Sequence, residues 1–151
     1  MPRTRPTRDQ YVAWRTVTTR WRDDDAYGHL NNATYYELFD TAVNAHLYEA
    51  TGVDVRGLPQ IGVVAETSCQ YFAEIGFPEP IEMGLVCDKV GTSSAIYRIG
   101  LFQGPGEEAA AEGRFVHVYV DNTDPARPVT PMPDVIRAAV TPLLRAPDSS
   151  S

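Results

Sequence analysis

From Tyr11 to Trp21 the chain reads YVAWRTVTTRW, aromatic and β-branched positions interleaved with polar ones, which predicts a strand. From about Asn32 to Ala50 the period changes. Tyr35, Leu38, Phe39, Ala42 and Val43 fall on one helical face, and Leu47 and Ala50 roughly continue it, while Glu37, Asp40, Asn44 and Glu49 take the opposite side. Asn31 and Asn32 are good N-caps, Thr34 with Glu37 offers a rival capping box, and Gly52 sits where a left-handed C-cap belongs. After this long helix the pattern turns to strands over 61–72, 81–90, 95–103 and 114–121. Ile81, Met83, Leu85 and Cys87 show the period of two most plainly. GFPEP (76–80), GTSS (91–94) and GPGEE (104–108) punctuate these runs. A short helix is expected over 134–144, with Asp134 as N-cap and Pro142 ending or kinking it.

The element order is strand, long helix, four strands in a meander, then a short helix, an α+β arrangement. Residues 10–145 read as a single domain, residues 1–9 as a flexible arm and residues 146–151 as a disordered tail. One helix covers one face of a five-stranded antiparallel sheet. The other face needs cover too, and a chain this small has no second layer to give, so a partner subunit is expected.

Composition narrows the classes. The 151 residues are 43% hydrophobic, enough for a core, and carry a net charge of −7, which argues against broad nucleic-acid binding. Of the thirteen basic residues only Lys89 is lysine. Cys69 and Cys87 make neither a disulfide framework nor a metal pair, and both fall in predicted strands as small buried thiols. The basic N-terminus has no apolar run behind it, and no stretch is long enough to span a bilayer. A cytoplasmic, reduced protein is expected.

The stretch DDDAYGHLNN, residues 23–32, concentrates the chemistry. Asp23 and Asp25 could bracket a divalent ion, but the later glycine and terminal glutamate of a calcium loop are missing. His29, His46 and His117 have no zinc-ligand spacing with one another or with the cysteines. There is no Gly-x-Ser-x-Gly elbow, and a Cys69–His117 pair would have to meet across strand interiors. The remaining reading is a carboxylate at a helix N-terminus. Gly28 permits a sharp turn, and the asparagines lead a first helical turn whose free N–H groups carry partial positive charge. A carbonyl oxygen seated there is polarised, and a nearby aspartate can attack its carbon or activate a water. Residue spacing alone equally allows caps and solvated loop residues.

D-x-D-A-Y-G-H-L-N-N-A-T-Y-Y, following a strand and running into a long helix, resembles the 4-hydroxybenzoyl-CoA thioesterase-like branch of the hotdog-fold acyl-CoA thioesterases. The similarity continues in VVAETSCQYFAE, KVGTSSAIYRI and AAEGRFVHVYVD followed by RPVTPMP, in the right order, over most of residues 10–133. The resemblance implies a hotdog fold, with an antiparallel sheet wrapped around one long central helix. It also implies a homodimer joined edge to edge, often a dimer of dimers forming a homotetramer, with active sites at the subunit interface. It assigns Asp25 as nucleophile or general base and the Asn32 backbone N–H as oxyanion donor, makes His29 a further catalytic candidate, and gives His29 and Asn31 to hydrogen bonds around the site, with Asn31 on the substrate. Asp23 matches a recurrent, more structural acid, and Asp24 a variable, solvated position. Gly28, Tyr35, Glu66 and Ser68 are the expected substrate-binding residues; in another hotdog branch the acid is a helix glutamate, for which Glu37 or Glu49 would stand here.

The substrate implied is an acyl-CoA, hydrolysed to a free acid and coenzyme A, with no metal and no cofactor beyond the CoA of the substrate. Its phosphates need local cations on an acidic protein. Lys89 and Arg98, with Thr92 and Ser93 of the GTSS turn, are the candidates for CoA binding; Arg114 and Arg127 compete. The alternatives are a hotdog hydratase and a non-catalytic acyl-CoA or acyl-carrier binding module.

Overall fold

The computed structural model describes residues 4–145. Its elements are β1 (Ala13–Val17), α1 (Asn32–Thr51), β2 (Gln60–Tyr71), β3 (Ile81–Val90), β4 (Ser94–Phe102), β5 (Ala111–Asp121) and α2 (Asp134–Val140). The sheet is fully antiparallel in the order β1-β3-β4-β5-β2, so β1 and β2 are its edges. The wrapped-helix α+β architecture expected from the sequence is the one observed. Among the described residues no helix is long and apolar enough to cross a membrane.

α1 forms where the apolar stripe requires it, and Phe39, Val43 and Leu47 are essentially fully buried against the sheet. The approach is close at Gly113 on β5, where an added Cβ would stand 2.5 Å from the Phe39 ring, so any side chain there would push the helix off the sheet. Asn31 caps the helix by accepting from the Ala33 N–H at 2.9 Å; the rival Thr34–Glu37 box is not used, because Thr34 is buried and turned toward the Asp23 carbonyl. Gly52 closes the far end at φ 72°. In α2 the cap is Pro133 and Asp134 lies in the first turn, with Pro142 in a following 3-10 turn.

Two expectations need correction. β1 is shorter than the aromatic run, because Trp21–Asp23 turns into a 3-10 helix held by Arg20 and Asp23. Residues 5–9 are not a loose arm. Arg5 donates to the Ala109 carbonyl at 2.9 Å, Arg8 donates to the Gly106 and Gly104 carbonyls, and the Arg8 guanidinium pairs with Glu82 and stacks on Phe102. Tyr11 follows, packing with Val86, Phe102 and Ala109 in a second small core on the outer face of β3 and β4. The N-terminal segment therefore supplies part of the cover that the sequence reading reserved for a partner. The expected tail at 146–151 lies outside the described residues.

Beneath this cover is a buried polar cluster. Arg98 pairs with Asp88 at 2.7 Å and reaches Glu112, which also accepts from the Tyr11 hydroxyl; the Glu112 side chain is 2% exposed. Burial works against the guanidinium charge, but the carboxylates of Asp88 and Glu112 more than offset it, so Arg98 holds its proton more tightly than a free arginine.

On the helix side of β5 sits His117, 2% exposed, among the rings of Tyr97, Phe115 and Tyr119. Burial pushes its pKa down to about 4, so it is neutral at pH 7. Between the ordinary histidine value of 6.5 and about 4, the unfolded chain takes up a proton that the folded chain refuses. Stability is therefore lost as pH falls through that window and is unaffected above it. His117→Phe removes the effect. Lowering pH from 7 to 4.5 should cost the wild type roughly 2–3 kcal/mol more than the variant, at about 1.4 kcal/mol per pH unit. Urea midpoints of both proteins at the two pH values check this, and parallel pH curves would show that His117 is not held neutral.

Candidate functional site

The loop between β1 and α1 is built around its three aspartates, each with a different task. Asp23 is 7% exposed and accepts from the Arg20 backbone N–H at 2.8 Å and from its guanidinium. Burial alone would raise its pKa, but the Arg20 hydrogen bonds and charge hold it below the usual carboxylate range. The Asp23 carbonyl also accepts the Asn31 N–H at 2.7 Å, fixing where the helix starts. Asp24 is half-buried rather than solvated, because its carboxylate accepts the Phe77 N–H at 3.1 Å and ties the loop to the chain before β3.

Asp25 lies at the turn itself. Gly28 at φ 80° lets the chain double back, so that the Asp25 N–H donates to the His29 carbonyl at 2.8 Å. Asp25 Oδ1 accepts the N–H groups of Tyr27 at 2.8 Å and His29 at 3.3 Å. These bonds lock the carboxylate, while Oδ2 accepts nothing among the described residues and the side chain is exposed. The His29 ring pairs with Glu74, its Nδ1 lying 3.2 Å from that carboxylate.

At the start of α1 the Ala33 N–H is taken by the Asn31 cap and the Thr34 N–H by the Asn31 carbonyl. The Asn32 N–H is left without an acceptor among the described residues, at the positive end of the helix. The Asn32 side chain accepts from the hydroxyl of Tyr71, at the end of β2, and the Tyr71 ring packs edge-on against Tyr35 at 5.0 Å. Burial pushes the Tyr35 phenol up to about 12, with the nearby Cys69, Glu74 and Asp25 adding to it. Asp25, Gly28, His29, Asn31, Asn32 and Tyr35 thus come together at one end of the molecule. Tyr71 and Glu74 join them and were missed in the sequence; Tyr71's signal was its place on the helix side of β2, in step with Cys69.

The other expected residues do not join this group within one chain. Glu66 and Ser68 pair in register with Val116 and Arg114, on the face of β2 turned away from α1, and Glu66 forms an ion pair with Arg114. Thr92 and Ser93 lie in the β3–β4 turn, next to Lys89, at the opposite end of the strands from Tyr71. Arg98 is a poor phosphate ligand, because its guanidinium is committed to Asp88 and Glu112 under the N-terminal cover. Glu49 is held by Arg15 at 2.5 Å. Cys69 stands opposite Gly113 and His117 opposite Val64, so they form no pair, and burial pushes the Cys69 thiol up to about 11, away from the reactive thiolate. No cluster of three metal-ligating side chains exists among the described residues.

Around the site the surface is unusually aromatic. Trp21 is 82% and Tyr27 85% exposed, and Phe77 packs edge-on against Trp21. Exposed rings bordering a polar site mark a surface that a ligand or partner covers.

The family model described as the thioesterase-like superfamily matches residues 19–140. Among solved structures, the chain is similar to the PA5185 protein of Pseudomonas aeruginosa at 45% identity and a TM-score of 0.89, over 95% of this chain and 100% of that one. It is also similar to the PA2801 protein of the same organism, described as a putative thioesterase, at 30% identity and a TM-score of 0.75, over 84% and 96% of the two chains. The fold is shared, at 13% identity and a TM-score of 0.76, with Slr0204 of Synechocystis, a 1,4-dihydroxy-2-naphthoyl-CoA thioesterase, over 91% and 97%. No curated protein matches in sequence.

Proposed function

From the premise that this chain belongs to the thioesterase-like superfamily and is a thioester hydrolase, we propose that it is an acyl-CoA thioesterase in which Asp25 attacks or activates water and the Asn32 N–H holds the thioester oxygen. The observation that carries this reading is the pairing of one pinned, half-uncommitted carboxylate with one uncommitted helix N-terminal donor. With the thioester carbonyl oxygen on the Asn32 N–H, negative charge building on it meets a fixed donor and the helix dipole. Asp25 Oδ2 then has two routes. It bonds to the carbonyl carbon, giving an anhydride that water cleaves, or it takes a proton from a water that attacks instead. In both, the C–S bond breaks, the thiolate leaves and is protonated, and one water is consumed per acid and thiol released. The His29–Glu74 pair and the Tyr71–Asn32 bond serve to hold the loop and the first helical turn in place.

The reading includes a homodimer. β2 is an edge strand whose residues 64–68 are all exposed, and such an edge invites pairing with a second copy. Lys89 remains a candidate for a CoA phosphate only if another subunit brings it to the site.

Thiol release from a panel of aryl and aliphatic acyl-CoAs tests the proposal. Turnover of at least one class at kcat/KM of about 10⁴ M⁻¹s⁻¹ or more is expected. A folded protein that hydrolyses nothing on the panel would end it.

A further inference from the structure

The bonds that shape the turn at Asp25 lie inside it, and the Asn31 N–H on the Asp23 carbonyl ties its base to α1. A loop tied only at its base can swing. What holds residues 24–30 from the side is a short stretch of the crossover between β2 and β3, residues 74–77. Glu74 pairs with His29, the Ile75 carbonyl accepts the Leu30 N–H at 2.8 Å, and the Phe77 N–H donates to both Asp24 carboxylate oxygens, at 3.1 and 3.3 Å. Gly76 packs against the loop. A Cβ there would stand 3.0 Å from Asp24 Oδ1 and 3.1 Å from the Gly28 carbonyl, so the two stretches meet with little room for a side chain between them. The sheet holds the crossover in turn. The Phe72 and Ala73 N–H groups both donate to the Ala110 carbonyl, just before β5, at 2.8 and 3.0 Å. Just past the end of β4, the Gln103 amide closes on the crossover's backbone. Its Oε1 accepts the Gly76 N–H at 3.2 Å, and its Nε2 donates to the Gly76 carbonyl at 2.7 Å and the Glu79 carbonyl at 2.9 Å. A carboxylate has no donor for those carbonyls and an ammonium no acceptor for that N–H, so the position asks for an amide.

We propose that Gln103 and Asp24 are positioning residues for Asp25, which set that carboxylate against the Asn32 N–H through the brace at 74–77. The inference rests on the thioesterase reading above and extends it to two residues outside the reacting pair. Acid and donor then share one frame. α1 carries the Asn32 N–H and lies on the sheet, with the Phe39 ring against Gly113 of β5. The acid loop reaches the same sheet through the brace, at the ends of β4 and β5. Gln103 bonds to the brace, the brace bonds to Asp24, and Asp24 adjoins Asp25. A displacement of about 1 Å between reacting groups can cost about 10²-fold in rate, so a residue two links away from the acid carries kinetic weight without touching it.

Three variants test this. Gln103→Met keeps the length of the side chain and removes its acceptor and donors. Asp24→Ala removes the acceptor for the Phe77 N–H, and Asp24→Asn gives an acceptor oxygen back. On a thioester that the wild type hydrolyses, Gln103→Met and Asp24→Ala should each lose about 10- to 100-fold in kcat, with KM within about twofold. Asp24→Asn should return kcat to within about threefold of wild type, since an amide oxygen accepts the same N–H. Amide hydrogen exchange in Gln103→Met should be about tenfold faster at Asp25 and Leu30 and unchanged at Phe39, Val43 and Leu47 of α1. Asp24→Ala carries the kinetic test alone should Gln103→Met not fold. Wild-type kcat in both Gln103→Met and Asp24→Ala would overturn the proposal, and so would unchanged exchange at Asp25 and Leu30. Losses that fall equally on KM, or that come with faster exchange throughout α1, would make Gln103 a matter of stability alone and overturn it too. Asp24→Asn as slow as Asp24→Ala would remove Asp24 from the brace, because its charge rather than its tie to Phe77 would then be what counts. A wild type that hydrolyses nothing ends the thioesterase reading instead; the exchange measurement needs no turnover and still decides whether the brace holds the loop.

Discussion

Asp25→Asn should fold like the wild type and lose roughly 10²–10⁴-fold in kcat, the range for removing a positioned acid–base group, with more if the route is covalent. Asparagine keeps the shape of aspartate and an oxygen for the Tyr27 and His29 N–H groups, so the turn around Gly28 survives. What it loses is the negative oxygen facing the reacting carbon. KM should change little, since the carbonyl is held by Asn32 and the acyl group elsewhere. Matched circular dichroism and thiol-release kinetics check both halves, and a variant within about fivefold of wild type would remove Asp25 from the chemistry. Asp23→Asn is the contrast. Its carboxylate is buried against Arg20, so the same substitution should lower stability before it lowers kcat.

The second large effect is on stability. Arg98→Leu should cost about 3–5 kcal/mol, because it removes the guanidinium that faces the buried Glu112 carboxylate and pairs with Asp88. Urea denaturation should show it, together with a fall in Tm of roughly 10 °C for a domain of this size. The double variant Arg98→Leu with Glu112→Leu should recover part of the loss, the share due to Glu112, while Asp88 stays without its guanidinium. A single variant within about 1 kcal/mol of wild type would mean that the Arg98 charge is not what keeps Glu112 and Asp88 buried.

Arg98 also shows where sequence reading stops. A strand arginine on an acidic protein looks like a phosphate ligand. Only the register of β3, β4 and β5 reveals that Asp88 and Glu112 flank it and that Tyr11, 101 residues before Glu112, donates to that glutamate. Glu66 and Ser68 face away from α1 for a related reason. Their strand was legible, but the bulge between Val64 and Glu66 resets which side chains face the helix, and no alternation pattern shows a bulge in advance. The helix, by contrast, was readable to within a residue, because its stripe, its Asn31 cap and its Gly52 stop are all local. The turn at Asp25 was readable for the same reason, since the bonds that lock its carboxylate and backbone span four residues or fewer, whereas the ties of Asp24 to Phe77 and of His29 to Glu74 were not.

The pinned N-terminal segment carries a consequence for synthesis. Arg5 and Thr7 close on residues 108–109, β1 pairs with β3, and Arg145 reaches back to the Asp9 carbonyl. On the ribosome, α1 emerges before any strand it packs against except the short β1, and its apolar stripe of Phe39, Val43 and Leu47 waits for β5 to arrive. The nascent chain therefore travels most of its length with a greasy helix uncovered and its first residues unpaired. Folding of such a chain is a late, concerted event. The interval before release is when it is most exposed to aggregation, and when a chaperone that binds amphipathic helices would have the most to protect.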